Sequence, residues 1–206
     1  MNAIISATKQ AEKRNLLSSI FVTLLIGLAY QEMITPVRES IRATGLTWGT
    51  FVLFLVFFLT TMRFFIGAQL HLISESLLKL PGRVWFFDFI FIVLEMVVMV
   101  LLGSTTSISM SQAARYDFVE LLIFLYSLDV LWIVLQWLMG KAWKSWKREM
   151  IPSAWAILNL ALILYLVISR NILADFHTTL GLWSLLISNG LAFAIDVFLV
   201  DYYDVL

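Results

Sequence analysis

Charged side chains occur inside the apolar stretches of this sequence, where they could exchange protons or bind cations. The acids are Asp88, Glu95, Asp129 and Asp196, and the base is Arg63. A charged residue at the centre of a membrane-spanning helix costs roughly 2.5–3.5 kcal/mol on insertion scales, so each one needs a physical reason. One arginine neutralises one or two carboxylates through forked hydrogen bonds. The remaining carboxylates must be protonated, hydrated or paired with a bound cation.

The spacing of the polar residues places them on common helix faces. Seven residues advance an α-helix by about 700°, which returns to within about 20° of the starting direction. Three pairs have this spacing, namely Asp88 and Glu95, Asp129 and Gln136, and Asn189 and Asp196. Each of the three segments therefore carries a polar stripe, which must face another helix, a neighbouring subunit or water rather than lipid.

These stripes define a predicted intramembrane polar cluster, for which two interpretations are open. Its members are Arg63, Asp88, Glu95, Asp129, Asn159, Asn189 and Asp196. In the first interpretation the cluster only joins helices, through hydrogen bonds that average about 0.6 kcal/mol in membranes. In the second it is a site for a cation or a proton. The excess of acidic over basic groups favours this second role for Glu95 and Asp129 in particular.

The composition predicts a membrane around these residues. Of the 206 residues, 61% are hydrophobic and 14% are charged, and the mean hydropathy is +0.92. Soluble domains are typically about 45–50% apolar and about 25% charged. The apolar runs are continuous, as in residues 51–59, and do not alternate as barrel strands do. We therefore predict an all-α polytopic membrane protein in which residues 1–206 form a single transmembrane domain with no soluble domain.

Hydropathy and turn residues divide the chain into about six helical spans. They are predicted near residues 15–34, 46–70, 84–103, 117–139, 151–170 and 179–200. Pro36 and Gly45 bracket the first connection, and Pro81 with Gly82 marks the second. The basic start before the first apolar run is also typical of a signal peptide. The run lacks a small-residue cleavage site, however, which favours an uncleaved span.

The distribution of lysine and arginine predicts the orientation of the chain. The predicted inner side holds nine such residues, Lys9, Lys13, Arg14, Lys79, Arg83, Lys141, Lys144, Lys147 and Arg148. The predicted outer side holds four, Arg38, Arg42, Arg115 and Arg170. Short loops rich in these residues stay in the cytoplasm. We therefore expect a multi-pass protein of the cell membrane with both the N- and the C-terminus cytoplasmic.

The fourth connection combines tryptophan with basic residues at the predicted inner surface. It contains Lys141, Trp143, Lys144, Trp146, Lys147 and Arg148. Each basic group near an anionic leaflet contributes about 1 kcal/mol of attraction, so we expect this segment to lie on the inner lipid surface. It either anchors the topology or senses lipid or a cytoplasmic partner protein.

Several classes of function are disfavoured by the composition and by the motifs. Zero net charge disfavours nucleic acid as a partner. There is no cysteine, and His71 and His177 are predicted on opposite sides of the bilayer, which disfavours zinc and haem sites. The sequence has no serine-hydrolase, zinc-protease or nucleotide-binding glycine motif. We therefore expect neither an enzyme nor a bound cofactor or metal.

The sequence leaves two functional hypotheses. In the first, the chain is a subunit of a homo-oligomeric channel or transporter for small cations or protons, with the polar cluster at its centre. In the second, it is a non-transporting membrane sensor or anchor that docks a cytoplasmic partner through residues 141–148. The lipid bilayer is a partner in both. Self-association is expected because a lone bundle of six short helices has few ways to shield three polar stripes.

Overall fold

The computed structural model describes residues 2–73, 82–106, 112–142, 150–170 and 179–203 of the chain. Within these ranges the chain forms six helices, each of which overlaps one of the predicted apolar runs. They are α1 (Asn2–Thr44), α2 (Trp48–Ile73), α3 (Gly82–Thr105), α4 (Gln112–Ala142), α5 (Met150–Ile168) and α6 (Thr179–Tyr203).

Five helical segments within the described ranges are long and apolar enough to cross a membrane. They are Asn15–Ala43, Trp48–Gln69, Trp85–Thr105, Asp117–Leu138 and Leu180–Phe198. Helix α5 has 19 residues and is therefore about 28 Å long, close to the roughly 30 Å of a bilayer's hydrocarbon core. The predicted fold class, an all-α polytopic membrane protein, is confirmed. The side on which the termini lie stays a prediction.

The exposed and buried faces of the bundle are arranged as lipid requires. Large apolar side chains point outward, and Leu24, Ile157 and Phe198 are each more than 60% exposed. Charged side chains within the spans point inward instead, and Asp88 and Glu95 are at most 3% exposed. Lipid favours this distribution because apolar side chains are stable in contact with hydrocarbon, whereas charged side chains are destabilised there.

The helices form a ring whose order in space differs from their order in the chain. Helix α1 packs along α3 and against α2, α4 packs against α3 and α5, and α6 packs against α2 and α5. Helices α2 and α3 are consecutive in the chain but touch only briefly, and both pack on α1. Fully buried side chains such as Phe57, Met96, Met99 and Tyr126 fill the interior. The ring therefore brings α2, α3 and α4 around one centre.

The connection between α1 and α2 is shorter than the sequence predicts. Pro36, expected in that connection, lies inside α1, because membrane helices tolerate the single backbone hydrogen bond that proline removes. Helix α1 ends just before Gly45, whose φ is 77° and whose N–H donates to the Ile41 carbonyl at 3.1 Å. Thr47 then caps α2, since its hydroxyl accepts a hydrogen bond from the Thr50 N–H at 3.2 Å.

Helices α1 and α3 approach closely at Gly103. A Cβ atom at this position would lie 2.6 Å from the carbonyl oxygen of Ala29 and 3.3 Å from the amide nitrogen of Met33. Both neighbours are backbone atoms of α1, so they cannot rotate away. Glycine is therefore required for this close contact, as is common where membrane helices pack tightly.

Candidate functional site

Arg63 of α2 and Asp196 of α6 form a buried ion pair. The guanidinium Nε donates a hydrogen bond to Oδ2 of Asp196, and both residues are at most 5% exposed. The guanidinium carbon lies 5.6 Å from the centre of the Tyr126 ring and 5.7 Å from that of Phe64, so aromatic faces help to stabilise the charge. Among the described residues, Nη1 and Nη2 have no hydrogen-bond partner. The forked end of Arg63 is available to a further acceptor.

Asn189 joins α2, α4 and α6 one or two helical turns away from this ion pair. Its Oδ1 accepts hydrogen bonds from the Tyr126 hydroxyl and, at 3.3 Å, from the Thr60 hydroxyl. Its Nδ2 donates to the Leu185 carbonyl at 2.8 Å. Since both ends of the amide are occupied within the bundle, Asn189 serves to hold these helices together.

Glu95 of α3 and Asp129 of α4 face each other at the centre of the bundle. Glu95 lies ten residues from either end of the Trp85–Thr105 span, about 15 Å from each end along the helix. Oδ2 of Asp129 accepts a hydrogen bond from Nδ2 of Asn159 in α5. Within the described part of the chain, Oε1 of Glu95 has no hydrogen-bond partner. A half-satisfied carboxyl group is therefore buried at mid-membrane depth.

A small cavity connects this carboxyl pair to the arginine. About 20 Å³ of it is open to the centre of a water molecule, which is room for one water. Gly67 of α2 contributes to this space, because a Cβ atom there would overlap the Trp155 indole. The polar residues that line the cavity are Arg63, Glu95, Asp129, Trp132 and Trp155.

The charges around the cavity do not balance. Arg63 is the only lysine or arginine that is buried among the described residues, whereas the carboxyl groups of Glu95, Asp129 and Asp196 all surround it. Two carboxylates that face each other in a medium of low dielectric constant repel strongly. The arrangement can hold a proton shared between Glu95 and Asp129, or a small cation with water.

Asp88 lies in a second polar group, separate from the arginine. Its Oδ1 accepts hydrogen bonds from Trp132 Nε1 at 3.1 Å and from Gln136 Nε2 at 2.9 Å. Its Oδ2 lies 3.3 Å from Nε2 of His71. The edge of the His71 ring also packs on Trp132, with ring centres 5.0 Å apart. Trp132 therefore touches both groups, since its ring also lines the cavity.

The predicted polar cluster is thus distributed over two places in the bundle. Arg63, Glu95 and Asp129 line the cavity, and Asp196 pairs with Arg63 beside it. Asn159 bonds to Asp129, and Asn189 holds neighbouring helices. Asp88, which the sequence groups with them, belongs to the His71 group instead. The physical reason is the spacing of seven residues between Asp88 and Glu95. This spacing gives the two side chains the same direction but places them about 10 Å apart along α3.

Three aromatic residues of the site are absent from the sequence prediction. Tyr126 and Trp132 lie three residues before and after Asp129, so both share its face of α4. Trp155 begins the apolar part of α5, and its indole lies beside Asp196. The helical spacing from Asp129 is the signal that could have identified the first two. No comparable signal exists for Trp155, which reaches the site only through tertiary packing.

Glu120 and Arg170 form an ion pair at the opposite end of the bundle from Asp88. Nη2 of Arg170 lies 2.6 Å from Oε1 of Glu120, and the two side chains are 38% and 51% exposed. Exposed pairs of this kind contribute about 0–1 kcal/mol to stability. This pair marks the end of α4 and α5 without belonging to the central site.

The basic, tryptophan-containing segment cannot be placed. Trp143, Lys144, Trp146, Lys147 and Arg148 lie outside the described residues. Lys141 belongs to the last turn of α4, but its side chain is not among those described. The predicted contact of this segment with lipid or with a partner stays a prediction.

Comparisons with known proteins give no relative for this arrangement. No family model matches the chain, and no significant match occurs among the curated proteins or the solved structures. Within the described ranges, no three histidine or carboxylate side chains converge closely enough to hold a metal ion.

Proposed function

We propose that this protein carries protons or small cations across a membrane through the buried site at Glu95 and Asp129. The observation that carries the proposal is the facing pair of carboxyl groups on a water-sized cavity at mid-membrane depth. Their nearest cation, Arg63, is already engaged by Asp196. A charge in this place is destabilising, and a carboxyl pair that shares one proton carries one negative charge instead of two.

A pair that holds a proton can also release one. Carboxyl pairs in apolar surroundings, such as those of aspartic proteases, share a single proton because both cannot be ionised side by side. A water molecule in the cavity can accept the proton that the pair releases. If a cation is bound instead, the same water can be one of its ligands. The free Nη1 and Nη2 of Arg63 can stabilise the carboxylate that is left behind.

The proposed site lies within one chain. The sequence predicts a homo-oligomer because the polar stripes need shielding, yet a single chain buries every member of the predicted cluster to 5% exposure or less. Shielding therefore no longer requires a second copy. Self-association stays a prediction, to be checked by the mass of the protein in lipid nanodiscs.

The experiment that tests the proposal is flux into liposomes that contain the purified protein. A pH-sensitive dye inside the vesicles reports protons under an imposed membrane potential, and radioactive sodium reports cations. We expect the wild type to exceed protein-free vesicles, and Glu95→Gln or Asp129→Asn to fall to their level. Glu39→Gln is the matched control, because Glu39 is an exposed carboxylate near the end of α1 and should leave the flux unchanged.

Two outcomes would contradict transport at this site. Wild-type flux equal to that of empty vesicles, for protons and for sodium, would remove the proposal. Normal flux in a folded Glu95→Gln, Asp129→Asn double variant would assign the pair to helix packing alone. The second hypothesis from the sequence, partner docking through residues 141–148, would then be tested by pull-down before and after neutralisation of that segment.

A further inference from the structure

The polar residues of α2, α3 and α4 are arranged in two layers. The central layer consists of Arg63, Glu95 and Asp129, and the second layer of His71, Asp88 and Gln136. On α3 and α4 the two members are seven residues apart, so they lie on similar faces about 10 Å apart along the axis. On α2 they are eight residues apart, which turns His71 by about 80° from Arg63. The two layers are therefore in line with each other along α3 and α4.

The second layer lies close to water. Asp88 is three residues from the end of the Trp85–Thr105 span, and Gln136 is two residues from the end of the Asp117–Leu138 span. The two residues therefore lie about 3–5 Å along the helix from the ends of these apolar segments. The His71 side chain is 25% exposed, although Asp88 beneath it is buried. The ionisable side chains of His71 and Asp88 thus extend from the surface into the bundle.

In the opposite direction from the central layer, the described residues are mostly apolar and buried. Between Glu95 and the far end of α3, the residues that face the interior are Met96, Met99 and Leu102, each 0% exposed. Phe57 of α2 and Leu122 of α4 fill the same region and are also fully buried. The Thr60, Tyr126 and Asn189 side chains on this side bond to one another. Water therefore has no described opening from that face.

We infer that the His71–Asp88 layer is the port through which the Glu95–Asp129 pair exchanges protons with one face of the membrane. This inference rests on the proposed function, because it names the route to the same site. The proton leaves a central carboxyl group for the cavity water and passes to Oδ2 of Asp88. From there the His71 imidazole transfers it to bulk water. The reverse sequence returns a proton to the pair.

Trp132 is the barrier between the two layers. A gap of about 10 Å needs about two to three waters in a row, at hydrogen-bond spacings near 2.8 Å. The cavity has room for only one. The Trp132 ring fills the remaining distance, lining the cavity and donating its N–H to Asp88. Movement of this ring lets the line of water form, so its size controls the rate of exchange.

Exchange can be measured directly, without transport. Infrared spectroscopy of the full chain in nanodiscs follows the carboxylic acid C=O band as H₂O is replaced by D₂O. The band is assigned by its loss in Glu95→Gln or Asp129→Asn. We expect Asp88→Asn to slow the exchange at least about a hundredfold, the lower end of the range for loss of a proton-transfer group. Trp132→Leu should accelerate it. The matched control, Glu120→Gln, removes a carboxylate at the other end of α4 and should change nothing.

The slower exchange expected for Asp88→Asn keeps the test independent of folding defects, and the faster exchange of Trp132→Leu counts only if its thermal unfolding matches the wild type. A destabilised bundle admits water and speeds exchange in any variant, so slower exchange in Asp88→Asn cannot arise from poor folding. Unchanged or faster exchange in Asp88→Asn would overturn the inference. So would faster exchange in Trp155→Phe with unchanged exchange in Trp132→Leu, because a second cavity past Trp155 leads toward Asp196. Absence of the acid band would overturn it as well. Failure of the proposed function would give a different result, namely normal proton exchange without any flux.

Discussion

At the scale of single residues, Arg63 decides how charge is held in this bundle. Only its Nε is engaged, by Asp196, while Nη1 and Nη2 face the interior without a partner among the described residues. The sequence alone does not specify which of the four carboxylates the arginine neutralises. The ion pair identifies Asp196 as the carboxylate that depends on the arginine. Glu95 and Asp129 therefore interact with each other instead.

The first prediction at this scale concerns removal of the arginine. Arg63→Leu leaves Asp196 as an uncompensated buried charge, so it should destabilise the protein by about 3–5 kcal/mol. Adding Asp196→Asn should recover much of the loss, because the stranded charge is gone. The measurement is the fraction of monodisperse protein that survives heating in detergent.

The control for this prediction is Arg38→Leu, since Arg38 is exposed near the end of α1. It should behave as the wild type. A better rescue by Glu95→Gln than by Asp196→Asn would show that the arginine depends on the central pair instead. Equal survival of the wild type and Arg63→Leu would show that Arg63 reaches water and pairs with neither.

At the scale of helices, the contact between α1 and α3 depends on the absence of a side chain at Gly103. In Gly103→Ala the new Cβ would meet the Ala29 carbonyl oxygen and the Met33 amide nitrogen. The two helices must separate to accept it, at a cost of about 1–3 kcal/mol, as for other overpacked interiors. Thermal unfolding in detergent measures this loss.

Two other glycines of the bundle provide matched controls for that substitution. At Gly27 in α1 and Gly190 in α6, an added Cβ atom would meet no neighbouring atom within 4 Å. Alanine at either position should be neutral or stabilising by up to about 1 kcal/mol, the difference in helix propensity. Equal effects at Gly103 and Gly27 would contradict the close contact of α1 with α3.

At the scale of the whole molecule, the ring encloses its polar groups and presents apolar surface outward. Asp88, Glu95 and Asp129 are buried inside one chain, while Leu24 and Phe198 project toward lipid. The apolar outer surface is opposite to that of a soluble protein, and it favours a bundle that is stable within a bilayer. The orientation of that bundle in the membrane follows from the loops.

The nine-to-four distribution of basic residues predicts that orientation. A reporter fused after Leu206 should be found in the cytoplasm, and one inserted between residues 107 and 111 should be external, because basic loops are retained on the cytoplasmic side. Enzymatic reporters that are active on only one side of the membrane measure both positions. An external C-terminus would mean that the number of membrane crossings is odd. Helix α5 has the shortest apolar segment, so its crossing would be the first to reconsider.

The amino-acid sequence alone determined the fold class and the inward direction of the charges. Hydropathy specifies membrane helices because each span must satisfy its own backbone, and the seven-residue spacing specifies common faces. It also identified the charged residues that line the cavity, Arg63, Glu95 and Asp129. Pro36 shows the limit of local signals, since it predicts a break where α1 continues.

Only the tertiary structure decided which polar residues meet. The partners are remote in sequence: Arg63 pairs with Asp196, Asp129 with Asn159, and Asp88 with His71 and Trp132. Helical periodicity gives the direction of a side chain but neither the neighbour that it faces nor the depth at which they meet. Those follow from the order of the helices around the ring. Close contacts such as that at Gly103 fix this order, and spacing along one helix does not specify it.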